Sequence, residues 1–489
     1  MQDKNIATLD IREIGLVEEV RQGIIKIKGF PSCLYGQEIE FQSGAKGMVV
    51  EFNPEWVFAI VFGNEYDVRI GETVSSVGKP LFVPVGDNFI GRVVNCIARP
   101  LDGKKPVEAS DEFPVFREAE GVMKREPIDQ PLATGIKILD LVIPLGKGQR
   151  ELILGDRQIG KSSIGLDTII NQKGKDVICI YCWVGGNHGA LQKTINLLNQ
   201  HGAMEYTLFV CASAGASSAE QYLAPYTAAA LGEYFMYRGK DVLVIFDDLT
   251  KQAWAYRQMS LLMERAPGRE AYPGDIFFLH SQLMERAGRL KKEFGGGSMT
   301  FLPICETLQG DITGYIPSNL VSITDGQIYM NTGLFQEGFK PAIDLELSVS
   351  RIGSKVQCPA IRDISKGLRY EYVRYRSLLR LTRLRTKLSA EATQQLQRGK
   401  ALYELLVQDN SAPLSLVEEV LLFYAFERKI LEVVSQQQLK KFKNEIYKFI
   451  LDRKPTLAEE IERTGELTDG AKTELDQAFR DYFQSIGIS

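Results

Sequence analysis

The stretch Gly155-Asp156-Arg157-Gln158-Ile159-Gly160-Lys161-Ser162 sets two glycines, a lysine and a serine at the spacing G-x-x-x-x-G-K-[ST]. That pattern does the chemistry of a phosphate cradle. Successive backbone N–H groups and a helix N-terminus face the anion, the Lys161 ammonium reaches the outer phosphates, and the Ser162 hydroxyl is placed on Mg2+. The positions expected to touch a nucleotide run from Gly155 through Ser163. The flanks suit this role. Arg150-Glu151-Leu152-Ile153-Leu154 reads as a short apolar strand, and Ser163 to Gln172 as a helix.

A second constellation follows downstream. Asp241-Val242-Leu243-Val244-Ile245-Phe246-Asp247-Asp248 is an apolar strand ending in two carboxylates. An acid at the end of a strand beside a phosphate loop can hold the Mg2+ shell through water. Asp247 is the first choice and Asp248 the alternative; the competing reading is a helix-capping aspartate. Hydrolysis also needs a group to orient the attacking water. In hydrolysing proteins of this layout a Glu follows the next strand after a small Gly turn. Here the segment is Trp183-Val184-Gly185-Gly186-Asn187-His188, with no acid. His188 is the only nearby base, and the sequence argues against self-contained hydrolysis.

These residues need elements to position them, and 489 residues exceed what one core supports. To about Ser75, short strands alternate with glycine turns (Gly23 to Gly29, Glu38 to Phe41, Met48 to Phe52, Trp56 to Phe62), which predicts a small closed β-barrel. From 76 to 355, strands at 177–184, 206–212, 241–246 and 299–304 alternate with helices at 218–238, 252–265 and 276–293, the rhythm of a parallel sheet wrapped by helices. From 356 to 489 the pattern is helical, and Ser415-Leu416-Val417-Glu418 spells a capping box. The expected fold is multidomain α/β: a barrel at 1–75, a RecA-like phosphate-loop domain at 76–355 and a helical bundle at 356–489.

Composition narrows the function classes. Apolar content of 44% and charged content of 25% suit a globular protein, and a net charge of -4 carries no nucleic-acid signature. No apolar run approaches a membrane span, and Met1-Gln2-Asp3-Lys4-Asn5 opens no signal region, so the chain is expected to stay in the compartment where it is made. Seven scattered cysteines fit a reduced interior. Cys179-Ile180-Tyr181-Cys182 reads as strand cysteines rather than a metal or redox pair. The three histidines form no ligand spacing.

The chain resembles the alpha subunits of F-type ATP synthases over nearly its whole length. The motifs include Gly91-Arg92-Val93-Val94-Asn95, Pro144-Leu145-Gly146-Lys147-Gly148-Gln149-Arg150, the loop Gly155-Asp156-Arg157-Gln158, Asp247-Asp248-Leu249-Thr250-Lys251-Gln252-Ala253, Pro267 to Asp275, Ser322-Ile323-Thr324-Asp325-Gly326-Gln327 and Ser348-Val349-Ser350-Arg351. The resemblance implies a non-catalytic site holding ATP or ADP with Mg2+. Gln158, Lys161 and Ser162 would contact phosphate and metal, and Pro341, Gln408 and Asn410 would surround the adenine. It implies that Arg351 is an arginine finger extended into a neighbouring beta subunit, with Ser322, Ser348 and Val349 lining that shared site. It further implies beta subunits in an alternating hexamer, a gamma central stalk, no nucleic acid, and a peripheral place on the cytoplasmic face of an energy-coupling membrane.

Departures from the family pattern sharpen the expectations. Ile159 stands where Thr is usual, Lys340 for an Arg, Gly186 for a Gln and Asn410 for a Gln. The barrel pattern begins almost at once, without the N-terminal helical extension that docks the peripheral stalk, which leaves open a variant, N-type-like complex. Thr382-Arg383-Leu384-Arg385-Thr386-Lys387 replaces an acidic loop, and from Arg362 to Lys387 Lys and Arg outnumber Asp and Glu nine to two. That stretch is either a solvated helix face or a surface for an acidic partner. The alternative to the alpha-like reading is a self-sufficient homohexameric ATPase of the flagellar or Rho kind, and the absent acid near Gly186 speaks against it. The non-catalytic subunit of V-type ATPases is a third reading, disfavoured by the intact loop.

Overall fold

Alternation of apolar and polar residues produces the first six strands, and their order closes them into a barrel. A computed structural model describes residues 13–383 and 389–486. The strands Ile14–Arg21, Ile24–Lys28, Gln37–Phe41, Lys46–Phe52, Val57–Phe62 and Thr73–Pro80 lie in the order first, second, fifth, fourth, third, sixth, and the sixth returns to the first. Val17, Ile25, Ile27, Ile39, Phe41, Val49, Val61 and Val74 fill the interior. The closing strand pairs Phe41 with Val74 and Gln37 with Pro80, so it runs beyond the boundary expected at 75.

The protein forms two units: Met1–Arg125 with Ile178–Gln200 and Met204–Met299, and Glu126–Val177 with His201–Ala203 and Thr300–Ser489. In the first unit the barrel is followed by a sheet in which Val177–Val184 pairs in parallel with Thr207–Ala212, and that strand with Val93–Val94. The helix Ser218–Met236 is apolar on nearly every face and correspondingly buried; Ser217 and Glu220 form its capping box. The helix expected at 276–293 ends at Met284. Beyond it Arg286 turns inward to a fully buried ion pair with Glu233 at 2.8 Å, and Gly288–Arg289 pairs antiparallel with Ser298–Met299. Tertiary pairing thus overrides the helical propensity of that stretch.

In the second unit the strand Leu152–Gly155 lies between Gly326–Met330 and Ser298–Glu306, parallel to both. Val349–Ser350 adds antiparallel to Gly326–Gln327. From Pro359 onward the regular elements among the described residues are helices. The helix Leu416–Glu427 is their centre, buried on most faces and started by the capping box of Ser415 and Glu418. No described helix is long and apolar enough to cross a membrane.

Candidate nucleotide-binding site

The strand Leu152–Gly155 delivers the loop, and the helix Lys161–Ile170 leads away from it. Gln158 and Gly160 have φ of 62° and 98°, so the loop turns through left-handed backbone at both positions. Lys161 is buried, its Nζ donating to the carbonyls of Gly155 at 2.8 Å and Asp156 at 2.5 Å, which holds the ammonium inside the turn. Asp156 braces the loop from outside. Its Oδ1 accepts from Thr307 Oγ1 at 2.7 Å and the Gly310 amide at 2.8 Å, and its Oδ2 from Thr332 Oγ1 at 2.8 Å. Burial alone would raise this carboxyl; the hydrogen bonds and the Lys161 charge outweigh it and hold it below its usual range. Arg157 pairs with Glu306 at 2.8 Å. Ile159 is buried against Gly155, so the position expected to hold a Thr serves packing here. Ser162 and Ser163 open the helix half-exposed, and the Ser162 hydroxyl makes no hydrogen bond among the described residues, which leaves it fit to ligate Mg2+.

On the expected adenine side, Pro341 follows a cis peptide from Lys340, whose carbonyl accepts the Gln408 amide at 2.8 Å. The Gln408 side chain is engaged within the fold. Its Nε2 donates to Gly135 at 2.7 Å and Ala412 at 2.9 Å, while Oε1 accepts from the Lys137 amide at 3.0 Å. Both of its amide hydrogens are therefore already used within the fold. Asn410 is exposed, and its neighbour Ser411 donates its amide to Asp167 of the loop helix at 2.9 Å. Burial pushes the Asp167 carboxyl up to about 6, against the Ser411 amide and the His201 charge.

In the first unit, Asp247 ends the strand Asp241–Asp247 and its Oδ2 accepts from the Tyr181 hydroxyl at 2.6 Å. Asp248 caps the helix Leu249–Leu262 by accepting the Lys251 amide at 2.8 Å, which moves that helix's start ahead of the expected 252. The two acids thus divide the roles: Asp248 takes the capping role, and Asp247 does not. Gly186 has no room for a side chain: a Cβ there would lie 2.3 Å from the Trp183 ring. The indole occupies the place of an acid or a glutamine. His188 begins the next helix, exposed.

Arg351 follows the short strand Val349–Ser350, and its amide donates to the Asp325 carbonyl at 2.9 Å. Its guanidinium is exposed and makes no hydrogen bond or ion pair among the described residues, although buried Glu151 feels its charge. Ser322 and Val349 are exposed. Ser348 is not: fully buried, it donates to the Asp344 carbonyl at 2.6 Å and accepts the Tyr329 amide at 2.9 Å, a brace inside the fold.

Comparison with known families matches three consecutive parts of the protein. The beta-barrel domain of the ATP synthase alpha/beta family covers 10–78, the nucleotide-binding domain of that family covers 135–350, and its C-terminal domain covers 357–482. The chain belongs to the ATP synthase alpha/beta family. Within it, the chain is 43% identical over 474 residues to ATP synthase subunit alpha of Clostridium acetobutylicum, a match spanning 97% of this protein and 94% of that one. It is equally 43% identical over 485 residues to ATP synthase subunit alpha of Clostridium botulinum strain Hall, spanning 99% and 95%. The three-part layout of barrel, nucleotide-binding α/β domain and helical domain is that of this family of nucleotide-binding rotary ATPase subunits.

The basic stretch is less free than its composition suggests. Arg376 pairs with Glu337 at 2.6 Å, Arg380 with Glu346 at 3.7 Å and Lys366 with Asp363 at 3.0 Å, and Arg362 donates to the Gln357 carbonyl at 2.9 Å. Arg385 and Lys387 lie outside the described residues. Sequence reasoning missed the Asp156 brace, the Asp167–Ser411 link and the indole over Gly186. The first two join residues distant in sequence, and the third depends on how a ring folds back over its own turn.

Proposed function

We propose that this chain is the non-catalytic member of an alternating hexamer in a rotary ATP synthase or ATPase. It holds ATP or ADP with Mg2+ on its own loop and lends Arg351 to the neighbouring subunit's catalytic site. The observations that support this reading are a formed phosphate loop and, in the segment where a water-orienting acid was expected for hydrolysis, a Gly186 covered by the Trp183 ring. Lys161 and the loop amides meet phosphate oxygens, and the Ser162 hydroxyl and Asp247, the latter through water, serve the metal. Bound Mg2+ supplies charge neutralisation on the phosphates. A free guanidinium on a braced strand end suits transition-state charge across a boundary, an effect worth about 10³–10⁵ in rate for such fingers. Beta subunits, a gamma stalk and a peripheral place on the cytoplasmic face of an energy-coupling membrane follow from the same reading.

The test is ATPase activity of the lone chain and of its mixture with cognate beta and gamma subunits, each with Arg351 intact and as Arg351→Ala. Activity confined to the mixture and lost with Arg351 supports the reading. Mg2+-dependent turnover by the lone chain overturns it in favour of a self-sufficient motor.

A further inference from the structure

A cavity of about 190 Å³ opens between the end of the loop helix and the helical domain, its apolar walls supplied by Leu132, Pro144, Val356 and Leu414. Four ionisable groups also line it: Asp140, Glu419, Glu462 and Lys175. The carboxyls outnumber the ammonium three to one. Asp140 is internally satisfied, accepting from the Thr134 hydroxyl and amide and from the Gly135 amide. Glu419 is not: it is 2% exposed, and its Oε1 accepts no hydrogen bond. A buried carboxyl oxygen without a donor leaves its desolvation uncompensated, the more so when charged. The Lys175 ammonium in the lining and that of Lys137 both act on Glu419 by their charge, yet neither donates to its Oε1, which stays without a hydrogen-bond donor.

We propose that this cavity is a binding site for a small amphiphilic amine, its ammonium on Glu419 and its apolar body against Leu132, Val356 and Leu414. Size supports the assignment, since an apolar cavity of about 150 Å³ accepts benzene, so this one admits a single ring with a short aminoalkyl arm. Burial, with Asp140 beside it, holds the Glu419 carboxyl well above its usual range, a cost that an arriving cation relieves. The site is separate from the phosphate loop and does not depend on the function proposed above.

The experiment uses the full-length protein and 2-phenylethylamine as probe, with calorimetry or ligand-observed NMR as readout. The comparisons are 2-phenylethanol, which keeps the body and removes the charge, Glu419→Gln, and Leu416→Trp, which fills the cavity wall. Cys358 lines the cavity half-exposed while the other six cysteines are buried, so its alkylation by N-ethylmaleimide reports occupancy directly. The expected result is amine binding that falls at least about tenfold (1.4 kcal/mol) for the alcohol and for Glu419→Gln, that is lost in Leu416→Trp, and that slows Cys358 alkylation. Equal binding of amine and alcohol, undiminished binding to Glu419→Gln, or no binding at millimolar amine overturns the proposal. Should Glu419→Gln fail to fold, the alcohol comparison and Leu416→Trp decide it alone.

Discussion

Arg150 grips Asp325 with two guanidinium nitrogens, Nη2 on Oδ1 at 2.7 Å and Nε on Oδ2 at 3.0 Å. Asp325 also makes two backbone hydrogen bonds: its amide donates to the Arg150 carbonyl at 2.8 Å, and its carbonyl accepts from the Arg351 amide. Arg150 lies two residues before the phosphate-loop strand, so Asp325 ties the base of that strand to the residue carrying the exposed guanidinium.

Asp325→Ala removes the acceptor of a charge-assisted, bidentate pair whose members are only about a quarter exposed. Urea unfolding is expected to show a loss of about 1.5–3 kcal/mol. On the finger reading, turnover of the assembled hexamer also falls although Arg351 is intact. Unchanged stability would mean that the clamp contributes nothing.

Lys161→Gln takes the ammonium out of the loop while leaving Asp156 to hold its shape. Nucleotide affinity of the isolated subunit is expected to drop at least about tenfold, or 1.4 kcal/mol, with little change in Tm. Full affinity in equilibrium dialysis would remove Lys161 from the site.

Gly186→Gln forces the Trp183 ring to move. The expected signature is a change in tryptophan fluorescence with a loss of about 1–3 kcal/mol, the usual cost of overpacking. Trp183→Ala in the same variant restores part of that loss. If the glutamine is accommodated with the fluorescence unchanged, the indole does not exclude side chains at 186.

Asp167 sets a pH dependence whose sign is opposite to that of a salt-bridged acid. The folded protein holds this proton up to about pH 6, whereas an unfolded carboxyl releases it near 4. Between those values the folded state binds more protons, so stability falls as pH rises through the window, by at most about 1.4 kcal/mol per unit, and the cost is complete above it. Asp167→Asn keeps an acceptor for the Ser411 amide and is expected to be more stable than the parent at pH 7, the gap closing toward pH 4. A constant gap in denaturant midpoints from pH 7 to 4 would rule this out.

Local spacing made much of the molecule legible. The phosphate loop, the capping box at Ser415 and the strand ending in Asp247 all follow from residues adjacent in sequence, and the structure has each of them. What spacing cannot express is competition between distant parts. Residues 285–293 are patterned as helix but are taken over by the buried Glu233–Arg286 pair and by strand pairing. Ser348 and Gln408 look like site residues from their motifs, yet their polar atoms are engaged by Asp344, Tyr329, Gly135 and Ala412. The empty place at Gly186 was readable as a missing acid, whereas the indole that fills it was not.

The barrel's closure has a consequence for crowding. Every strand from Ile14–Arg21 to Thr73–Pro80 has a partner on both sides, so no row of open backbone groups remains for another protein to extend. The barrels of neighbouring copies therefore offer one another no strand edge to extend. Any contact the barrel makes must be read through its side chains, such as exposed Ile14, Tyr66 and Ile70, and so can be selective.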